Sequence, residues 1–539
     1  MILTLGLIIG LAGCSTSAVD TVDNDAKIDH SDIYNTQLDQ KETYLEQFEN
    51  SEATLENPEV VVNPWNFNVL SAYVAFNSEE KVSFEYTVNG KTEDTDYTFT
   101  SEALSTEVIV PVMGLYYGEN TVEITTKDAN GEVVDTNTVS IDTSDQEIPD
   151  SYLTTDVEQT SDEAVELLNN KIIFSATYNG YDLDGDLRFY TPTKRTQYFH
   201  YNDNSFYSVG FGKDPKYVYK SDAMGVIKTE YNMPEGTEAH HDFANGDDNT
   251  LYVLATADSE LEGGMQADGD SSIVETQIAT FDDQTGKFKE LIDMHEMFDE
   301  NPVVASGVEF DPMHVNAITY DEATDSIIMS SQAQGMLFAL DAKSFEINWI
   351  IDEPGDVQES ADKVLNPIGD MVYTSGQHSV YINENPKYEE YRSENQFVVT
   401  AFDNNVCKDA DGNEYKTDQV EGPFKKWDTC AYADDGKHEF DESTIITYAV
   451  NLDDFSVEML DNFALPYYSP IVSWVNTFET DNNYYDVFEG SGKVPTYLIL
   501  DADGNIVYEM GIPKSDERAH DYRGTAVSID KLATSFEVA

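Results

Sequence analysis

The sequence predicts an all-β fold, a six-bladed β-propeller preceded by a small immunoglobulin-like β-sandwich, from three observations. Between Val60 and Ile141, apolar and polar residues alternate through VSFEYTV, EVIVPV, NTVEITT and DANGEVVDTNTVSI, with turn residues between the runs. Alternation of period two marks strands with one buried face. From about Ile172 onward, a turn containing Asp or Gly leads into a hydrophobic strand six times: DLDGDLRFY at 182, SDAMGVIKTEY at 221, DDQTGKFKELI at 282, DAKSFEINWI at 341, NLDDFSVEML at 451 and DADGNIVYEM at 501. Such units, mostly about 40 to 60 residues apart, are what the outer hairpins of propeller blades produce. Composition is the third observation. Hydrophobic residues make up 40% of the chain, with 33 Tyr and 26 Phe, enough for sizeable cores despite the charge.

Taken in order, the elements begin with an apolar run, Ile2 to Leu11, that ends in Leu11-Ala12-Gly13-Cys14. It is too short to span a bilayer, and its small residues suit a cleavage site. Residues 1–14 therefore read as a lipoprotein signal, with Cys14 the lipidated first residue of an exported protein held at the periplasmic or cell surface. An ordinary secretory signal is the alternative. Residues 15–57 are polar and acidic, with one weak helical pattern near Tyr44 to Phe48, and read as a tether. Residues 58–145 are the expected sandwich. A polar stretch from Thr143 to Thr160 and a helix around Val165, Leu167 and Leu168 lead into the propeller, 160–539. Its longest interval, 341 to 451, reads as one blade with an inserted loop that holds Cys407 and Cys430. An oxidising compartment would allow these to form a disulfide; free buried thiols are the alternative. DLDGDL and DADGNI resemble the start of a calcium loop, but they lack its distal Glu and run directly into strands. They read as tight turns, and no metal or cofactor is expected.

Charge narrows the partners. With 104 Asp plus Glu against 29 Lys plus Arg, the formal net charge is −75. Nucleic acid and anionic membrane surfaces are unsuitable for such a chain, so the lipid is its only expected membrane contact. A working environment of concentrated salt is expected, because a Debye length of roughly 3 Å at about 1 M removes most self-repulsion.

The candidate chemistry lies in three of nine histidines. His241, His314 and His378 sit in AHHDF, MHVNAI and GQHSVYI, each at or just before a strand and about one blade apart. In a propeller the innermost strand of every blade lines a central channel, so residues a blade apart can meet at one end. An imidazole serves as nucleophile, acid or base near neutral pH. His240 is expected to point away from His241, by the alternation of side chains along a strand. Three unrelated structural histidines are the alternative, and spacing does not choose between them.

Several strings carry a resemblance: HVNAITYDEATDSIIMSS, GQHSVYI, FDNN at 402–405, YYSP at 467–470, YRG at 522–524 and, nearer the amino terminus, NPWNFNVLSAYVAF with VPVMGLYYGENTVEI. In order and spacing they resemble the bacterial aryl-sulfate sulfotransferases, from about Val60 to the carboxy terminus. The resemblance implies a small sandwich before a six-bladed propeller and admits a homodimer. It also implies transfer of a sulfuryl group from a phenolic sulfate donor to a phenolic acceptor, through a sulfated histidine and without a nucleotide donor. By the same resemblance His378 matches the nucleophile, His314 and Asn316 the HVN pair, and His241 the histidine of an earlier blade. A sulfuryl group in transfer is loosely bonded and its oxygens share charge, so positioning and hydrogen-bond donors do most of the catalysis.

Two positions depart from the family pattern. Its arginine after the HVN strand is Gln332 here, in Ser330-Ser331-Gln332, and its threonine after YSPI is Val472. Glutamine offers the substrate a neutral amide where arginine offers a charged fork, a loss of about 2 to 4 kcal/mol of transition-state stabilisation if nothing replaces it. Three consequences stay open: another cation such as Arg523 acts, a different leaving group is accepted, or activity is lost. A noncatalytic propeller that binds a phenolic or polymeric ligand, and an aryl-sulfate hydrolase, are the competing readings.

Overall fold

The computed structural model describes residues 30–49, 51–175, 179–192, 199–202, 205–209, 216–258, 273–294, 313–332, 334–352, 361–405, 442–478, 480–491, 494–513 and 522–532. Cys14, Cys407 and Cys430 lie outside these residues, and with them the expected lipidation and disulfide.

The amino-terminal domain has five strands, Glu59–Val62, Ala72–Val88, Tyr97–Val112, Glu119–Lys127 and Val133–Asp142. Its second and third strands form a long antiparallel ribbon whose register shifts between Asn77 and Val82 and again between Val82 and Phe84. Before the shifts the second strand also pairs with Glu59–Val62, and after them with Glu119–Lys127. A bulge bends a strand, so one ribbon serves two sets of neighbours. The alternation read from the sequence is the burial pattern: Tyr86, Val88, Val122 and Ile124 face the core.

From residue 30 the expected tether is instead a docked element. Helix α1, Asp32–Glu49, places Tyr44 and Phe48 one turn apart on one face. Phe48 is buried, edge-on to Tyr73 with centroids 6.4 Å apart, and the Tyr44 hydroxyl donates to the Pro64 carbonyl at 2.6 Å. Gln37 of the same helix donates to the Gly225 carbonyl at 2.7 Å and accepts from the Ile227 amide at 2.9 Å. The weak apolar pattern thus has partners in two distant parts of the chain, and burial of two aromatic rings holds it.

Six further sheets follow. Sheet I consists of Gly524–Ser528, Lys171–Ser175, Asn179–Tyr181 and Leu187–Tyr190, so the last described strand pairs with Lys171–Ser175, near the start of this body. Sheet II is Phe199–Asn202, Ser205–Val209, Tyr217–Ser221 and Ile227–Asn232; sheet III is Thr237–Gly246, Thr250–Asp258, Ile273–Asp282 and Phe288–Asp293. Sheet IV is Val315–Asp321, Ser326–Ser331, Met336–Asp341 and Ile347–Ile351. Sheet V is His378–Ile382, Gln396–Asp403, Thr444–Asn451 and Ser456–Ala464, edged by Asn366–Ile368. Sheet VI is Trp474–Thr477, Tyr484–Glu489, Thr496–Asp501 and Ile506–Gly511, edged by Val157–Thr160. Helix α2, Asp162–Leu168, follows that edge strand and is capped by Ser161, whose Oγ accepts from the Ala164 amide.

All six repeated turns, five opened by Asp and one by Asn451, join the third strand of a sheet to the fourth. In each, the Oδ1 of Asp182, Asp222, Asp282, Asp341, Asn451 or Asp501 accepts backbone N–H groups two to four residues on. They are side-chain-closed turns. Between successive sheets lie apolar clusters: Tyr207, Phe243 and Leu251 between II and III; Leu254, Ile318 and Phe338 between III and IV; Ile328, Trp349 and Val399 between IV and V; Phe402, Val475 and Leu498 between V and VI. A larger cluster joins the amino-terminal domain to sheets VI, I and II through Phe488, Phe174 and Phe206. Among the described residues no helix is long and apolar enough to cross a membrane.

Candidate functional site

The leading strands of sheets III, IV and V share a local irregularity. Strand register shifts between Ala239 and Phe243, between Val315 and Ala317, and between His378 and Val380. At those points His241, His314 and Ser379 hold left-handed backbone, with φ of 49°, 40° and 57°. Non-glycine residues avoid this region, and such bulges re-aim side chains. The result is convergence. The imidazoles of His241 and His314 have centroids 5.2 Å apart, and the Tyr522 ring lies 5.3 Å from His241 and 6.3 Å from His378.

His378 is held from both ring nitrogens. Asn404 donates its amide hydrogens to the carbonyls of Ser469 and Val472, at 2.6 and 3.0 Å, which turns its Oδ1 toward His378 Nδ1 at 2.8 Å. That oxygen can only accept, so the proton sits on Nδ1 and the lone pair on Nε2. Nε2 accepts from the Val472 amide at 3.2 Å. Burial lowers the His378 pKa to about 3, and the nearby His314 and Arg523 act in the same direction against the opposing bond to Asn404. The imidazole is therefore neutral at ordinary pH. Val472 has φ of 55° and Ser473 of 88°, an outlying backbone for a β-branched residue. A chain of hydroxyls, Ser473 to Ser469 to Ser491, at 2.7 and 2.8 Å, braces this turn.

Arg523 lies beside the cluster, with its Nη2 donating to the His241 carbonyl at 3.5 Å. Its Nη1 is 2.8 Å from Asp242 Oδ1, while Asp242 Oδ2 accepts from the Ile318 amide of the next sheet at 3.0 Å. A cavity of about 450 Å³ runs beyond this pair along the leading strands, lined by Asn245, Tyr320, Tyr381, Trp474, Asp486 and Thr525 among others. None of the three imidazoles lines it. Asp242, Arg523 and Asp486 all line it, so its carboxylates outnumber its one cation, and the histidine cluster is the candidate site for an anionic donor.

The remaining sequence-derived residues sit close by, in supporting positions. Asn316 is buried and donates to the carbonyl of Gln377, the residue before His378, at 2.9 Å. Gln332 is buried and its backbone N–H donates to the His314 carbonyl at 3.1 Å. His240 does not point away. Its Nδ1 lies 2.6 Å from His241 Nδ1, because the left-handed turn at His241 breaks the alternation on which that expectation rested. Asn404, Tyr522 and Asp242 were not singled out from the sequence, although the FDNN and YRG strings contain the first two. Among the described residues no group of three or more His, Cys, Asp or Glu side chains is placed to hold a metal ion.

Comparison with known proteins bears on the family of the chain. The family described as Arylsulfotransferase (ASST) matches residues 151–523, and the Arylsulfotransferase Ig-like domain matches residues 59–144. No curated protein matches the chain. Among solved structures, a putative 6-phosphogluconolactonase from Bacteroides uniformis is 10% identical with a TM-score of 0.36, over 83% of this chain and 100% of that one. The β-propeller domain of Myceliophteria thermophila Cps50 (Swd1) is 12% identical with a TM-score of 0.32, over 68% of this chain and 88% of that one. Both are too distant to inform the assignment. The match over most of the chain does inform it, and this protein belongs to the arylsulfotransferase family.

Proposed function

We propose that the chain is a nucleotide-independent aryl-sulfate sulfotransferase working through a sulfated His378, at one end of a six-bladed propeller formed by sheets I to VI. The observation that carries this reading is the hold on His378: Asn404 fixes the proton on Nδ1 and leaves a neutral lone pair on Nε2, among two further imidazoles. Nε2 attacks the sulfur of a phenolic sulfate, the N–S bond forms, and the bond from sulfur to the phenolic oxygen breaks. The leaving oxygen takes a proton from the His241 and His314 side of the cluster. An incoming phenol gives its proton back as its oxygen takes the sulfuryl group. The Val472 amide, which touches Nε2 at rest, becomes a donor to a sulfuryl oxygen, and the amide of Gln332 takes the place of the family arginine.

The proposal extends to export and anchoring through Cys14, a Cys407–Cys430 bridge, a homodimer and work in concentrated salt. A second reading has one observation in its favour: Arg523, the cation beside the cluster, is already paired with Asp242. A site without a committed cation for the sulfate suits a noncatalytic binder of phenolic ligands. Incubation with 4-nitrophenyl sulfate and excess phenol decides between them. Nitrophenolate release with phenyl sulfate formation, abolished in His378→Ala, supports the transferase; release with inorganic sulfate as product indicates a hydrolase, and binding without release the noncatalytic reading.

A further inference from the structure

His240 and His241 are adjacent in a strand, both buried, with their Nδ1 atoms 2.6 Å apart and their rings nearly perpendicular at 88°. Two lone pairs at that distance repel, and so do two N–H groups. One proton must lie between them. Among the described residues, the charged and titratable groups near the pair include Asp242 on the same strand, Arg523 bonded to it, His314 just before sheet IV, and Tyr522, with His378 beyond Tyr522. Asp242 and Arg523 compensate each other, so the pair itself can take up or release a single positive charge.

We propose that His240 is the positioning residue for His241, and that the proton shared between their Nδ1 atoms lets His241 Nε2 act as acid in the first half-reaction and as base in the second. This rests on the transferase reading above. With three protons the pair is a monocation: one on each Nε2 and one between the Nδ1 atoms. When the phenolic oxygen leaves the sulfur, it takes the proton from His241 Nε2. The shared proton then settles on His241 Nδ1, and both imidazoles are neutral: His241 protonated at Nδ1, His240 at Nε2. An aryl sulfate anion, neutral His378 and the cationic pair thus become a neutral phenol, an N-sulfated imidazolium that is neutral overall, and a neutral pair. In the second half-reaction the acceptor phenol gives its proton to His241 Nε2, the shared proton returns to its central position, and the charge spreads over both rings. A single imidazole would hold this charge alone in a buried site, where desolvation opposes it. Sharing across two rings spreads the charge and lessens that penalty.

The test compares two donors. Nitrophenolate leaves with little need of a proton, whereas phenolate needs one. His240→Asn, which cannot take up the shared proton, is expected to lose about 100-fold in kcat/KM with phenyl sulfate and less than about threefold with 4-nitrophenyl sulfate. Equal losses with the two esters would mean a merely structural role and overturn the proposal. A second readout needs no turnover: in the full-length protein with nitrogen-15 histidine, a far-downfield proton coupled to the Nδ1 atoms of both residues is expected, and it is lost in His241→Asn. Its absence from the folded wild type overturns the proposal as well. If the wild type turns over neither ester, the transferase reading fails, and the nuclear resonance result alone decides whether the shared proton exists.

Discussion

His378 owes its Nε2 lone pair, the nucleophile of the proposed mechanism, to Asn404. With the Asn404 amide hydrogens committed to Ser469 and Val472, the imidazole is left one tautomer. Asn404→Ala should therefore lower kcat by about 100-fold while KM changes little, since orienting partners of a reactive imidazole carry effects of that size. Steady-state kinetics with 4-nitrophenyl sulfate and phenol check this, and an unchanged kcat would contradict it. The pKa of about 3 gives a second expectation. Because burial disfavours the imidazolium, the neutral imidazole persists down through the acid range, and kcat/KM with 4-nitrophenyl sulfate should stay flat from about pH 8 to about pH 5. A fall centred near 6.5, the ordinary histidine value, would mean that His378 titrates as an exposed residue does. The convergence of His241, His314 and His378 was legible because each lies in or next to the leading strand of its sheet, which the sequence marks. His240 was not, since no residue type announces that a strand will turn left-handed at the next position.

Six turns with one closure are the most legible elements of the chain, because an Asp that accepts its own backbone N–H groups is local chemistry. Asp341 accepts from Lys343 N, Ser344 N and Ser344 Oγ, and these bonds hold its carboxyl below the usual range, the Ser344 amide foremost. A depressed carboxyl contributes stability that is full above its unfolded value near 4 and is lost as pH falls through the lower folded value. Asp341→Asn keeps an acceptor but cannot titrate, so the stability advantage of the wild type over this variant should shrink between about pH 5 and about pH 2. Denaturant unfolding across that range measures it, and a constant difference would contradict the account. Helix α1 was less legible. Its apolar face is Tyr44 and Phe48, and what it packs against, at Pro64, Tyr73 and Gly225, lies 20 or more residues away.

At the scale of the molecule, a buried cation, Arg188, sits at the joint between the amino-terminal domain and sheet I, within the apolar cluster that joins them. Arg188 has no exposed surface; it lies 4.0 and 3.9 Å from the ring centroids of Tyr97 and Tyr116, and bonds to Asp182 and the carbonyls of Thr95 and Gly114. Arg188→Met leaves Asp182 buried without its counter-charge and should cost about 3 to 5 kcal/mol in denaturant unfolding. A loss under about 1 kcal/mol would contradict this role. The sheet repeat was readable from spacing, whereas this joint was not, because its partners span residues 95 to 188 and nothing in DLDGDLRFY marks Arg188 as a core residue. The net charge of −75 sets the other expectation at this scale. Self-repulsion is screened within a few ångströms at molar salt, so Tm should climb steadily between about 0.1 M and about 1 M sodium chloride, and a flat response would contradict adaptation to salt.

The central claim is a covalent one and is tested by trapping it. After brief reaction with 4-nitrophenyl sulfate in the absence of acceptor and digestion under nonacidic conditions, mass spectrometry should find the mass of one sulfuryl group on the peptide containing His378. Sulfuryl mass found only on another residue, or nitrophenolate release with no sulfated peptide at any time, would contradict the account.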